Sequence, residues 1–261
     1  MGEIRIGVGG WTFEPWRGTF FPPGHPQKAE LSYMSRQLTS IEINGTYYRT
    51  QTRGSFEKWR DETPEGFVFA VKGPRYATNR QVLAEAGPSI DRFFESGVTA
   101  LGDKLGPINW QFMATKKFDP EDFAAFLALL PLSVDGHLIR HAVEVRHPSF
   151  ATPEFVTLAR DHGAAIVLAG DAKHPLIPDP TAPFVYARIM GTTPDHPEGY
   201  PPDALDTWAA RARAWSEGGP DGLDPVADKA KATSREVFLY VIAGHKEANP
   251  AAATALIRRL R

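Results

Sequence analysis

The sequence predicts an α/β protein, a single (β/α)8 barrel of the TIM type spanning residues 1–261. Three observations carry that prediction. Eight short apolar runs recur along the chain, the segments between them carry helix start and stop signals, and composition nowhere shifts abruptly. A doubly wound open sheet is the alternative that the same rhythm allows.

The elements follow in order. "IRIGVGG" at 4–10 reads as the first strand, and Leu31, Met34 and Leu38 then recur at helical spacing. "SIEIN" at 40–44 and "FVFAVK" at 67–72 are the second and third strands. Ile90, Phe93, Phe94, Gly97 and Leu101 continue as a helix before "INWQF" at 108–112, the fourth strand. In "DPEDFAAFLALLP", Asp119 is a natural N-cap, Pro120 suits the first helical position, and Phe123, Phe126, Leu127 and Leu130 form one stripe. After "HAVEVR" at 141–146, "TPEFVTLARDHG" repeats the device with Thr152 and Pro153 and stops at Gly163. "AAIVLA" at 164–169 and "FVYARI" at 184–189 are strands six and seven, each expected to be followed by a helical stretch. A helix over 203–215 puts Leu205, Trp208, Ala212 and Trp215 on one face. "VFLYVIA" at 237–243 completes the set, and the last helix opens on Asn249 and Pro250. Two connections stand out: 191–202, rich in turn formers after strand seven, reads as a lid loop, and 216–236 as a mobile surface loop on the opposite side.

Composition narrows the function classes. Apolar residues make up 42% and charged residues 23%, values ordinary for a globular protein with a substantial core. A formal charge of −2 provides no overall field toward nucleic acid or an anionic membrane, so a nucleic-acid partner is not favoured and no membrane partner is expected. The absence of cysteine excludes disulfides, thiolate catalysis and cysteine-based metal sites. No secretory signal pattern opens the chain and no run is long enough to span a bilayer, so a cytoplasmic location is expected.

Alternation along the strands then places polar side chains where a barrel interior should be apolar. Glu42 and Asn44 share a face; so do Ala70 and Lys72, Asn109 and Gln111, Glu144 and Arg146, and Tyr186 and Arg188. Trp11 continues the face of Gly7 and Gly9. The opposite faces, such as Ile41 with Ile43 and Phe67 with Phe69 and Val71, suit an outer ring of helices. A purely structural ion network is the bland reading. Against it, the charges gather at the C-terminal strand ends, where such barrels hold their active sites. Three cations (Lys72, Arg146 and Arg188) face two carboxylates, and Arg49 and Arg75 lie just beyond strands two and three. That surplus calls for an anionic ligand bearing phosphate or carboxylate.

The motifs "IGVGGWTFEPWRGTFFPPG", "IEINGTYYR", "FVFAVKGPR", "KLGPINWQF", "VEVRHPSF" and "FVYARIMG" resemble, in order from residue 4 to about 190, the YecE-like family, domain of unknown function 72. The resemblance implies a TIM-type barrel and a site, but no reaction. Two departures from the family pattern are visible. "ARIMG" lacks the usual histidine before the glycine, and "IAGHKEANP" replaces an asparagine-rich turn, with His245 as a substitute polar contact.

Three functions fit these residues. The leading one is a hydrolase or lyase acting on an anionic, phosphorylated or carboxylated substrate without a tightly held metal or other cofactor. Glu42 or Glu144 would supply acid–base catalysis, and Lys72, Arg146 and Arg188 would bind the anion and stabilise developing charge. Asn44 and Gln111 would orient the substrate, Arg49 and Arg75 would add charge, and Trp11 and Tyr47 would form apolar walls. The second is a divalent-metal barrel enzyme recruiting Glu42, Glu144, His147, Asp171, His174 and His245, although no HxH spacing is present and the one ExxH, Glu144 to His147, lies on a strand whose alternation turns the two side chains to opposite faces. The third is a non-catalytic module for a nucleotide or another anion, using Trp11, Trp16, Phe20, Tyr47 and Tyr48 with Arg17 and Arg49.

Overall fold

A computed structural model describes residues 1–227 and 231–261. Eight parallel strands close into a barrel: β1 Ile4–Gly9, β2 Ser40–Ile43, β3 Val68–Lys72, β4 Leu105–Gln111, β5 His141–Glu144, β6 Ala165–Gly170, β7 Phe184–Ile189 and β8 Glu236–Val241. Each strand pairs with its neighbours in sequence, and β8 returns to β1. The open-sheet alternative is thereby excluded. β4 begins earlier than its apolar run, because Leu105 pairs with Phe69 across a register shift.

Among the described residues, seven helices of eight residues or more surround the strands: α1 Glu30–Gln37, α2 Arg53–Glu62, α3 Gly87–Glu95, α4 Pro120–Ala128, α5 Pro153–Asp161, α6 Pro202–Glu217 and α7 Asn249–Leu260. The expected caps form: Asp119 accepts from Asp122 N at 3.2 Å and Thr152 from Phe155 N at 3.3 Å. Two expectations need correction. No helix follows β6, since Pro175, Pro178, Pro180 and Pro183 remove the amides and the backbone freedom that a helix needs. The helix carrying Ile90 and Phe93 does not run on to Leu101, because Gly97 takes a left-handed φ of 91° and a 3-10 turn over Val98–Lys104 follows. α2 carries no broad apolar stripe, only Phe56 and Trp59 one turn apart in a charged segment, so its pattern is faint in the sequence.

The core forms two layers. Strand residues such as Ile41, Phe69, Trp110 and Val143 pack outward against helix residues such as Phe126 and Leu256. Inside the barrel, Val68, Ala70, Ala142, Val167, Phe184, Tyr186, Phe238 and Tyr240 form a separate cluster, the face predicted by alternation. No helix among the described residues is long and apolar enough to cross a membrane.

Both unusual connections carry specific anchors. In 191–202, the Tyr200 hydroxyl accepts from Gly191 N at 2.7 Å and donates to Asp171 at 3.0 Å, and Thr192 donates to Asn249 at 2.8 Å. Gly244, at φ 56°, lies so close to Thr192 that a Cβ there would come within 2.4 Å of its hydroxyl. In 216–236, residues 228–230 lie outside the described residues. Before them, Asp179 accepts from Val226 N at 2.7 Å and Ala227 N at 2.9 Å, and Trp215 donates to Asp221 at 2.6 Å.

Candidate active site

Four strands deliver the ionic side chains, and β4 two carboxamides, to one place because parallel pairing holds their C-terminal ends level. Lys72 registers with Asn109, Gln111 with Glu144, and Arg188 with Tyr240. Arg188 is the hub: Nη2 lies 3.1 Å from Glu42 Oε1 and Nη1 lies 2.5 Å from Glu144 Oε2. Arg146 grips the other oxygen of Glu144, Nε at 2.8 Å and Nη2 at 2.6 Å. The Tyr186 hydroxyl donates to Glu42 Oε2 at 2.5 Å, and Asn109 Nδ2 spans both carboxylates, 3.4 Å from Glu42 and 3.2 Å from Glu144. Lys72 Nζ donates to Gln111 Oε1 and sits 5.1 Å from the centre of the Tyr47 ring.

The electrostatics follow from burial and charge together. Burial alone would push Glu144 upward, but Arg188, Lys72 and Arg146 outweigh it and hold the carboxyl at about 2. Burial, assisted by Arg188, pulls the Lys72 amine down to about 8, against the opposing pull of Glu42 and Glu144. Burial and the Glu42 carboxylate raise Tyr186 well above an ordinary phenol, so it acts as a donor. Two buried polar atoms of this cluster have no partner among the described residues: Arg188 Nε and Asn109 Oδ1. Such atoms are costly unless something completes them.

A pocket of about 600 Å³ adjoins this cluster at the C-terminal mouth. Trp11, Tyr48 and Trp59 contribute aromatic walls, and the Trp11 and Trp59 rings meet edge to face at 5.2 Å. Arg49, Arg188 and Lys246 contribute charge, while none of the lining residues is acidic. Gly9 keeps the floor open, since a Cβ there would meet Asn44 Nδ2 at 2.5 Å.

Of the residues singled out from sequence, Glu42, Lys72, Gln111, Glu144, Arg146 and Arg188 converge, and Trp11, Asn44 and Arg49 line the adjoining pocket. Tyr47 is buried beneath the Lys72 amine. Arg75 is not brought in: it is exposed, 5.8 Å from the Tyr48 ring and 5.7 Å from that of Tyr76, and is not among the pocket's lining residues. Asn109 and Tyr186 belong to the site although neither was assigned to it, and their alternation with Gln111 and Arg188 was the available signal. Trp59 and Lys246 come from α2 and from the turn after β8, with no local pattern to announce them. Of the residues considered for a metal, Glu42 and Glu144 sit together but are taken up by Arg188, Arg146, Asn109 and Tyr186, His174 is close enough to feel the charges of Glu144, Arg146 and Arg188, and the other three are engaged by other groups. His147 accepts from Ser149 N at 3.1 Å, Asp171 holds Tyr200 and Trp208, and His245 faces Glu247 at 3.3 Å. Among the described residues, no three histidine, aspartate or glutamate side chains are grouped to hold a metal.

A closed parallel barrel with buried polar and charged groups near its mouth defines a TIM-type barrel protein, an arrangement consistent with catalysis. Residues 5–261 match the family model described as protein of unknown function DUF72, and the chain belongs to that family. The UPF0759 protein YunF of Bacillus subtilis is 32% identical over 114 residues, 42% of this chain and 39% of that one. The UPF0759 protein YecE of Escherichia coli is 26% identical over 147 residues, 56% of this chain and 50% of that one. The matched stretches thus span half or less of these curated relatives. A crystal structure of a DUF72 family protein from Thermotoga maritima superposes with a TM-score of 0.73 at 21% identity, covering 99% of this chain and 98% of that one, a likeness of fold.

Proposed function

We propose that the barrel mouth binds a small anionic substrate, bearing phosphate or carboxylate, and cleaves it by acid–base chemistry of the hydrolase or lyase type. The observation that carries this reading is the pocket lined by three cations and no carboxylate, into which the partly unsatisfied Arg188 opens. Arg188, Arg49 and Lys246 hold the anion. Trp11, Tyr48 and Trp59 enclose the rest of the substrate, and Asn44 orients it. Arg146 and Asn109 hold Glu144 and Glu42 in place. Glu144, kept ionised by its cations, supplies fixed negative charge; Glu42 and Lys72 are the groups left to move protons.

The aromatic walls also support a second reading, a non-catalytic binder of a nucleotide or other aromatic anion. Thermal denaturation with phosphate, sulfate, pyruvate and mononucleotides at low and high salt tests the shared premise. Stabilisation that weakens with salt is expected from at least one anion. No stabilisation by any of them overturns both readings. Once turnover is found, Glu42→Gln separates them, since a binder would lose affinity alone.

A further inference from the structure

Among the described residues, three lysines donate their amines to oxygen acceptors, and they are held on different terms. Lys104 Nζ donates to Arg60 O at 2.6 Å, Thr63 O at 2.6 Å and Thr63 Oγ1 at 3.1 Å, at the C-terminal end of α2. Lys116 donates to Gln81 O at 2.8 Å, Asp122 Oδ2 at 3.1 Å and Arg80 O at 3.4 Å. Both have a full set of acceptors for the three protons of an ammonium. Lys72 is only 6% exposed and, among the described residues, has one acceptor, the Gln111 carboxamide. Two carboxylates stand nearby, yet neither comes within ion-pair distance of it, because Arg188 and Arg146 occupy them. An ammonium is poorly served there. A neutral amine, with a free lone pair at the C-terminal end of a barrel strand, is well served.

We infer that Lys72 is an imine-forming nucleophile whose substrate is a carbonyl compound carrying an anionic group, such as a 2-oxo acid. The inference rests on reading the mouth as an anion site and narrows that reading from hydrolysis toward lyase chemistry. The Lys72 nitrogen attacks the carbonyl carbon, and a nitrogen proton passes to the carbonyl oxygen, giving a carbinolamine. Loss of that hydroxyl with a second proton as water leaves C=N, so amine plus carbonyl yields imine plus water with no change of oxidation state. The imine nitrogen, once protonated, carries its positive charge where the ammonium did, facing Glu42 and Glu144. Arg188, with Arg49 and Lys246, holds the substrate's anionic group, and Arg188 also faces the Lys72 amine, so charge and electrophile are bound side by side. The charged and titratable groups facing the amine are Glu42 from β2, Tyr47 from the turn after it, Glu144 and Arg146 from β5 and its end, and Arg188 from β7.

The test is reductive trapping on the full chain. Pyruvate with cyanoborohydride, a hydride donor that reduces the imine to a stable secondary amine, is followed by peptide mass mapping. Labelling of Lys72 at least tenfold above that of exposed Lys28, Lys58 or Lys117 is expected, increasing from pH 6 to 8. Acetone, a carbonyl without the anion, should label Lys72 at least tenfold less, and Lys72→Arg should abolish the site's adduct while the surface background remains. Label confined to surface lysines, with Lys72 unmodified, overturns the inference. Lactate, an anion without a carbonyl, separates the two claims. Stabilisation by lactate with Lys72 unlabelled by pyruvate removes the imine and leaves the anion site standing. Lys72 labelled equally by acetone and pyruvate, with no stabilisation by lactate, keeps the nucleophile and removes the anion site.

Discussion

At the N-terminal end of the barrel, Arg5 and Arg140 both reach Glu236, Arg5 Nε at 3.1 Å; Arg5 also donates to Gly66 O at 2.7 Å. At the C-terminal end, Arg188 joins Glu42 and Glu144. The contacts are similar in kind and differ in solvent. Side-chain exposure at the base is 10% for Arg5 but 31% for Arg140, 27% for Glu236 and 62% for Glu3, against 3% for Arg188 and none for either of its carboxylates. The lower network forms where water still screens it, and it also packs over aromatic rings, Arg140 lying 5.0 Å from the Phe238 ring centre. The upper network bears the full cost of dehydrating its ions, which apolar side chains of similar volume would avoid. An expensive arrangement kept at the end of a barrel where substrates bind points to chemistry, whereas the cheaper one below is accounted for by packing.

The largest effect should come from cutting each network at its hub. Arg188→Met leaves two buried carboxylates without their shared cation and should cost about 3–5 kcal/mol in a denaturant titration. Arg5→Met at the base should cost about 1 kcal/mol. Equal losses would break the contrast between the two ends.

Titration sharpens it next. Glu144 has a folded value of about 2, below its ordinary 4.5, so its contribution is present above pH 4.5 and is lost as pH falls toward 2. Lys72 has the opposite consequence. Its folded value of about 8 lies below its ordinary 10.5, so the charged amine is a burden below pH 8 that is relieved as pH rises toward 10.5. Each effect is on the order of 3 kcal/mol. Unfolding free energies measured across pH should show the acid slope flattened by Glu144→Gln and the alkaline gain removed by Lys72→Met. Slopes unchanged in both variants would mean that the mouth is as wet as the base.

Much of this cluster was legible before any coordinates, for a physical reason. A strand has a period of two, so Glu42, Lys72, Gln111, Glu144 and Arg188 declare their face as soon as their apolar neighbours declare the other. That argument works wherever the chain is extended and stops where it turns. Arg75 follows β3 as Arg49 follows β2, yet a short helix at Arg75–Thr78 carries it out to the surface. Lys246 reaches the pocket because the turn after β8 folds back, its amine 4.0 Å from the Phe13 ring centre, a long-range contact with no sequence period behind it. The missing helix after β6 was open to reading from its four prolines, and the eightfold rhythm obscured them.

The smaller predictions concern that rim. Arg49→Ala and Lys246→Ala each remove one cation from the pocket without touching the buried network, so stability should change by less than about 0.5 kcal/mol. Anion affinity, read as the concentration dependence of the thermal shift, should fall about threefold to tenfold for each.

Arg75→Ala should do least of all. Its guanidinium rests over two exposed tyrosines, an arrangement worth about 0.5 kcal/mol at most in water. It would have been grouped with Arg49 on sequence alone, which makes the pair informative. If Arg49→Ala weakens anion binding and Arg75→Ala does not, the anion is held by the pocket's own geometry. If both weaken it equally, a diffuse positive field attracts the anion, and the contrast between a built mouth and an ordinary charged surface loses its ground.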